Sequence, residues 1–151
     1  MWAQLRRFNS LPDAAKADFL RAVLLLPLIR TSLRLRGFRK TQKSLERHVA
    51  PGRAALSAAA AEADTKQTCR MVLAASRRLH ARGNCLERSL ALWWLLARRG
   101  ITSHLCIGAR KTGERFEAHA WVERNGEAVG EPEGTHLHYS AFEKEFSGEL
   151  S

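Results

Sequence analysis

From Asp13 onward the apolar positions recur at helical spacing: Leu20, Val23, Leu24, Pro27, Leu28 and Thr31 fall on one stripe. Ser10-Leu-Pro-Asp13 supplies a start for this helix, with Ser10 as N-cap, Pro12 tolerated in the first turn and Asp13 at the positive end of the dipole. Pro27 lacks an N–H and crowds the preceding turn. It is therefore expected to kink or end the segment, leaving Leu33 and Leu35 on an irregular amphipathic piece that runs to Gly37. Pro51-Gly52 then breaks the chain. From Ala54 to about His80 an alanine-rich stretch has high helix propensity, and Gly83 provides its stop.

In residues 85–99 the apolar positions Leu86, Leu90, Leu92, Trp93, Leu95, Leu96 and Ala97 cover most of a helix circumference, which predicts a central, buried helix ended by Gly100. Beyond it the period falls to two. Leu105, Ile107 and Ala109 alternate with His104, Cys106 and Gly108 in a strand over Ile101–Arg110. Phe116, Ala118, Ala120 and Val122 alternate with Glu117, His119, Trp121 and Glu123 in a second strand over Arg115–Glu123. Arg124-Asn-Gly126 reads as a hairpin turn into a third strand, Glu127–Gly130. The pattern predicts an α+β fold: a helical N-terminal half, then a buried helix starting at Cys85 packed on a small antiparallel sheet.

At 151 residues the chain is expected to form a single domain, 1–151, with a basic helical part over 1–80 and a catalytic core over 81–151. The formal net charge of +10 is lopsided: residues 1–80 contribute +11 and residues 81–151 contribute −1. Such asymmetry fits an acidic protein partner, an anionic membrane surface or nucleic acid. Nucleic acid is the weakest of these, because the arginines are interleaved with few aromatics and no reader motif is present. The membrane surface ranks behind the acidic partner. The apolar run Ala22–Ile29 is far short of the ~20 residues of a membrane span. No export signal is recognisable, and three cysteines with no paired spacing fit a reducing compartment, so the cytoplasm is the expected location.

Charge and composition name no chemistry; Cys85 does. It opens the buried helix, where unpaired N–H groups and the positive dipole end favour an anionic sulfur, and His119 follows downstream on a strand. Cysteine at a helix start, histidine on a strand and a carboxylate on the next strand is the order of the papain-like and transglutaminase-like thiol enzymes. All three aspartates (13, 18 and 64) precede Cys85, which leaves the third place to a glutamate, an asparagine or nothing. A three-residue Arg124-Asn125-Gly126 loop would pair Glu123 with Glu127 and bring Glu131 opposite His119, whereas a two-residue Asn-Gly loop would bring Pro132 there. The three-residue reading favours Glu131, then Glu133, then Glu127.

Cys85-Leu-Glu-Arg-Ser-Leu-Ala-Leu, the Arg-Arg-Gly100 that closes the helix, and Phe116-Glu-Ala-His-Ala-Trp-Val-Glu-Arg-Asn-Gly126 together resemble the leader peptidases of lasso-peptide biosynthesis (B proteins). These form a branch of the transglutaminase-like cysteine protease superfamily, and the likeness spans about residues 69–131. It implies removal of the leader from a ribosomally made precursor, usually after a threonine in the penultimate leader position. The freed core amine would pass to an ATP-dependent lasso cyclase. The resemblance gives Cys85 the role of nucleophile, His119 that of base and then acid, and position 131 that of orienting carboxylate. The family usually has Asp there, so Glu131 departs from it.

Around this core the Cys85 N–H is a natural oxyanion donor, Asn84 a candidate second donor, and Trp121 a shield for the ion pair. No cofactor is implied. Some of these families carry a winged-helix module that grips the leader. Residues 1–80 lack its strand-rich pattern, so a separate leader-recognition protein is expected to deliver the substrate. Three rival readings stand: a metal site built from His104 and Cys106 with His136, His138 or Cys69, which lacks any ligand spacing motif; a scaffold that only presents precursor to the cyclase; and a transamidase with the same triad. Cys69 and Cys106 read most simply as small apolar fillers.

Overall fold

The computed structural model describes residues 10–49, 56–79, 85–132 and 134–142. Helix α1 spans Asp13–Arg36. Its N-cap is Pro12, with an extended ψ of 148°, and the Pro12 carbonyl takes the N–H groups of Ala15 and Lys16. Ser10 therefore does not cap it. Pro27 does not end it either: the helix passes through Pro27 unbroken. The proline is on the exposed side, where water can hydrate the carbonyl one turn back, while Ala22, Leu26 and Ile29 anchor the helix in the core on both sides of it. The apolar stripe read from the sequence proves to be the solvent side, with Leu20, Leu24 and Leu28 more than half exposed. The face that packs carries Ala15, Asp18, Ala22, Leu26 and Ile29, so α1 is apolar on two sides.

Gly37, at φ 75°, turns the chain into a helix the periodicity did not announce, α2, Phe38–Glu46. It is short and mostly polar, and tertiary contacts hold it: Trp94 Nε1 donates to the Leu45 carbonyl at 3.0 Å, and the Ser32 and Thr41 hydroxyls meet at 2.8 Å. Helix α3, Ala58–Arg78, is capped by Ser57, whose side chain accepts the Ala60 N–H. Pro51-Gly52, Gly83 and the ends of the alanine-rich segment at Ala54 and His80 lie outside the described residues.

Helix α4, Cys85–Arg98, is the central helix the pattern predicts: Leu90, Ala91 and Leu96 are wholly buried among residues of α1, α3 and the sheet. Just past its end Arg99 ties three helical segments together. Its guanidinium donates to Asp18 at 2.6 Å and Asp64 at 2.7 Å, while Thr68 donates to Asp18 at 3.2 Å. Burial opposes the Arg99 charge, but the two carboxylates outweigh it and raise the guanidinium pKa further.

The sheet has the order β3-β2-β1-β4, with antiparallel pairing throughout: β1 His104–Thr112, β2 Arg115–Arg124, β3 Glu127–Val129 and β4 Ser140–Ala141. Leu105, Ala120 and Val122 face the helices, whereas Phe116, at the far end of β2, is 77% exposed because the hairpin reaches beyond the helical layer. The two-residue β4 was not visible in the pattern; it pairs with β1 opposite Gly108 and Ala109. The fold is thus α+β, helices packed on a small antiparallel sheet. Among the described residues no helix is long and apolar enough to cross a membrane.

Candidate active site

The hairpin after β2 decides where the third strand's carboxylates fall. Asn125 (φ 54°) and Gly126 (φ 80°) both adopt left-handed conformations, as a two-residue type I′ turn requires. The ladder accordingly pairs Arg124 with Glu127, Glu123 with Ala128 and Val122 with Val129. The three-residue loop is therefore incorrect: Asn-Gly matches the twist of a tight hairpin, and continued pairing would set Pro132 opposite His119. The ladder stops at Val129 instead. Gly130 turns at φ 79°, packed so closely that an added Cβ would lie 3.2 Å from Leu92 and 3.3 Å from the Cys69 sulfur. That turn redirects the next residue, and Glu131 Oε1 accepts a hydrogen bond from His119 Nε2 at 2.6 Å.

Both partners are sheltered, with side-chain exposures of 13% for His119 and 7% for Glu131. The second Glu131 oxygen is buried and has no hydrogen-bond partner among the described residues. Trp121 stacks near the imidazole with centroids 6.0 Å apart and planes 16° from parallel, and its indole N–H is held by Glu123 at 2.7 Å. Tyr139 closes another side of the imidazole at 4.9 Å, and His136 lies 6.1 Å from Trp121. Gly108, the ladder partner of His119, admits this wall: a Cβ there would fall 2.8 Å from the Ser140 carbonyl and 3.0 Å from Trp121. Tyr139 is missed from the sequence and His136 enters it only as a possible metal ligand, since Thr135–Tyr139 has no period; a lone tyrosine after the meander is the one signal for this wall.

Cys85 is the first residue of α4 and is half-buried. One turn later on the same helix face, Ser89 Oγ donates to the carbonyl of Ala120, the residue after His119, at 2.9 Å. This buried bond fixes the start of α4 relative to the His119 strand. Glu127 is exposed opposite Arg124, and Asn84 and Glu133 lie outside the described residues. Cys69 is buried, and burial first, with the nearby Glu62 charge, pushes its thiol from 9.0 up to about 11. Among the described residues, no three of His, Cys, Asp and Glu gather into a metal-binding group.

A cysteine at the head of a buried helix, beside an antiparallel sheet that carries a carboxylate-bound histidine, is an arrangement suited to thiol acyl transfer. The model of the transglutaminase-like superfamily matches residues 25–143, and the chain belongs to that superfamily. Membership suggests a cysteine-protease or transamidase type of activity. No significant match to a curated protein or to a solved structure was found.

Proposed function

We propose that the protein is a cysteine peptidase that removes the leader from a ribosomally made lasso-peptide precursor. Cys85 is its nucleophile, His119 its acid and base, and Glu131 its orienting carboxylate. The observation that carries the reading is the 2.6 Å bond between His119 and Glu131 on the strand that Ser89 ties to the Cys85 helix. In the proposed triad Glu131 takes Nε2, which leaves Nδ1 as the nitrogen to serve the thiol. The buried carboxylate fixes the tautomer and stabilises the imidazolium.

The Cys85 thiolate attacks the carbonyl at the end of the leader, and the tetrahedral oxyanion is met by N–H groups at the helix start. Collapse breaks the C–N bond, His119 gives its proton to the departing core amine, and a thioester remains. Water then loses a proton to His119 and attacks the thioester, releasing the leader as a carboxylic acid and restoring the thiol. The Trp121 and Tyr139 rings keep bulk water from the imidazolium–carboxylate pair.

The substrate arrives with a separate leader-recognition protein, and the product goes to an ATP-dependent cyclase. The first of these docks on α1, where exposed Leu24, Leu28 and Leu35 run beside Arg21, Arg34 and Arg36; an acidic protein face with apolar positions complements that surface. The test is incubation with precursor and leader-recognition protein in oxygen-18 water containing a primary amine. Hydrolysis places one oxygen-18 in the new leader carboxylate; transamidation adds the mass of the amine; a scaffold gives neither. A short open reading frame with a penultimate leader threonine, beside one resembling an asparagine-synthetase-like cyclase, would support the same reading.

A further inference from the structure

Glu131 lines a cavity of about 900 Å³ that lies between α3, the head of α4 and the β3 edge. Its cations are Lys66, Arg70, Arg77 and Arg88, and its carboxylates are Glu62, Glu127 and Glu131. Those carboxylates have neighbours other than the three arginines. Glu62 is held below the usual carboxylate range, chiefly by Lys66 at 3.1 Å and also by Arg124 at 2.8 Å. Glu131 is bonded to His119, and Glu127 stands opposite Arg124 in the ladder. Among the described residues, Arg70, Arg77 and Arg88 form no ion pair with a carboxylate; Arg70 only donates from Nε to the Lys66 carbonyl.

Two further properties select the ligand. Strand β3 is an edge strand whose one ladder is with β2, and the cavity runs along residues 127–132. Its other side can therefore take an extended chain by strand addition. Arg70 and Arg77 are seven residues apart on α3, roughly 10 Å along the axis, about the rise of three residues of extended peptide. Among the described residues no aromatic side chain lines the cavity, so these offer no platform for stacking nucleic-acid bases.

We propose that this cavity binds an acidic peptide segment in extended form, laid along the β3 edge with its carboxylates on Arg70, Arg77 and Arg88. It rests on the peptidase reading in taking that segment to be part of the substrate. In that case the cavity delivers the scissile bond toward the His119–Glu131 pair by charge as well as by backbone pairing. Arg88 is one turn into the Cys85 helix, so the same segment contacts both catalytic elements.

Binding can be read without cleavage, by fluorescence anisotropy of three labelled octapeptides alternating serine with glutamate, glutamine or lysine, at low salt. The glutamate peptide should bind best, and Arg70→Glu/Arg77→Glu should weaken it by about tenfold or more while improving the lysine peptide. Arg70→Gln/Arg77→Gln should show the loss without the reversal, and circular dichroism checks that both variants fold. Lys111→Glu/Arg115→Glu, exposed at the β1–β2 hairpin end and outside the cavity, should leave glutamate-peptide affinity within about twofold once general charge steering is screened. Equal binding of glutamate and glutamine peptides, equal loss from the hairpin reversal, or tighter binding of a single-stranded oligonucleotide than of the glutamate peptide would overturn the proposal. Failure of the peptidase reading shows separately, as absent cleavage with this binding pattern intact.

Discussion

At the scale of single residues, the site turns on a glutamate reached by a path that backbone pairing does not provide. A three-residue Arg124-Asn125-Gly126 loop would also bring Glu131 opposite His119, but the chain does not form it. Asn125-Gly126 makes the tighter turn, and Gly130 then swings Glu131 onto His119 after the ladder has ended. Cβ-less Gly130 and Gly108 make this possible, and such close approaches leave no trace in hydrophobic periodicity. Glu131→Gln should slow leader cleavage by roughly 10²-fold, because an amide oxygen still accepts the bond but cannot balance an imidazolium. Glu127→Gln should cleave near the parent rate, and His119→Ala should be slower than either. Parent rates for Glu131→Gln would reduce the site to a Cys-His dyad. A second residue-scale expectation concerns the thiols. With Cys69 pushed up to about 11, its thiol stays protonated and buried through neutral pH. Iodoacetamide at neutral pH should label Cys85 well before Cys69, as mapped by peptide mass spectrometry; faster labelling of Cys69 would contradict the buried assignment.

At the scale of elements, the long regular patterns were legible and the short or tertiary-held pieces were not. The buried α4 and the β1–β2 meander follow directly from their periods of 3.6 and 2. Helix α2 and strand β4 are held by contacts such as Trp94 to Leu45 and by pairing with β1, which no local pattern encodes. Helix α1 misled for another reason: with apolar residues on two sides, its periodicity cannot tell which side packs, and the small residues Ala15 and Ala22 mark the side that approaches other helices. The element contact that matters for chemistry is the Ser89 clamp. Ser89→Ala leaves the Ala120 carbonyl buried without this donor and should cost about 1–2 kcal/mol of stability in urea unfolding. It should also lower cleavage, because the Cys85 end of α4 loses its tether to the His119 strand. Unchanged stability together with unchanged rate would show that packing alone sets the juxtaposition.

At the scale of the whole molecule, the positive charge and the chemistry are separated along the chain. Residues 1–80 carry +11, while the helix of Cys85 and the sheet of His119 belong to a part that is nearly neutral. We propose the basic α1 and α2 surface, with its exposed leucines, as the docking face for the leader-recognition protein. Reversing Arg34, Arg36 and Arg39 to glutamate should weaken that complex in pull-down at low salt while leaving the fold unchanged by circular dichroism. If pull-down is undiminished, flotation with anionic liposomes tests the membrane surface next. Whether Cys85 is the nucleophile of a leader peptidase can be decided by mass spectrometry of precursor incubated with the leader-recognition protein and each single cysteine variant. Cys69→Ala and Cys106→Ala should release the leader and Cys85→Ala should not; undiminished release by Cys85→Ala would contradict the assignment of Cys85 as nucleophile.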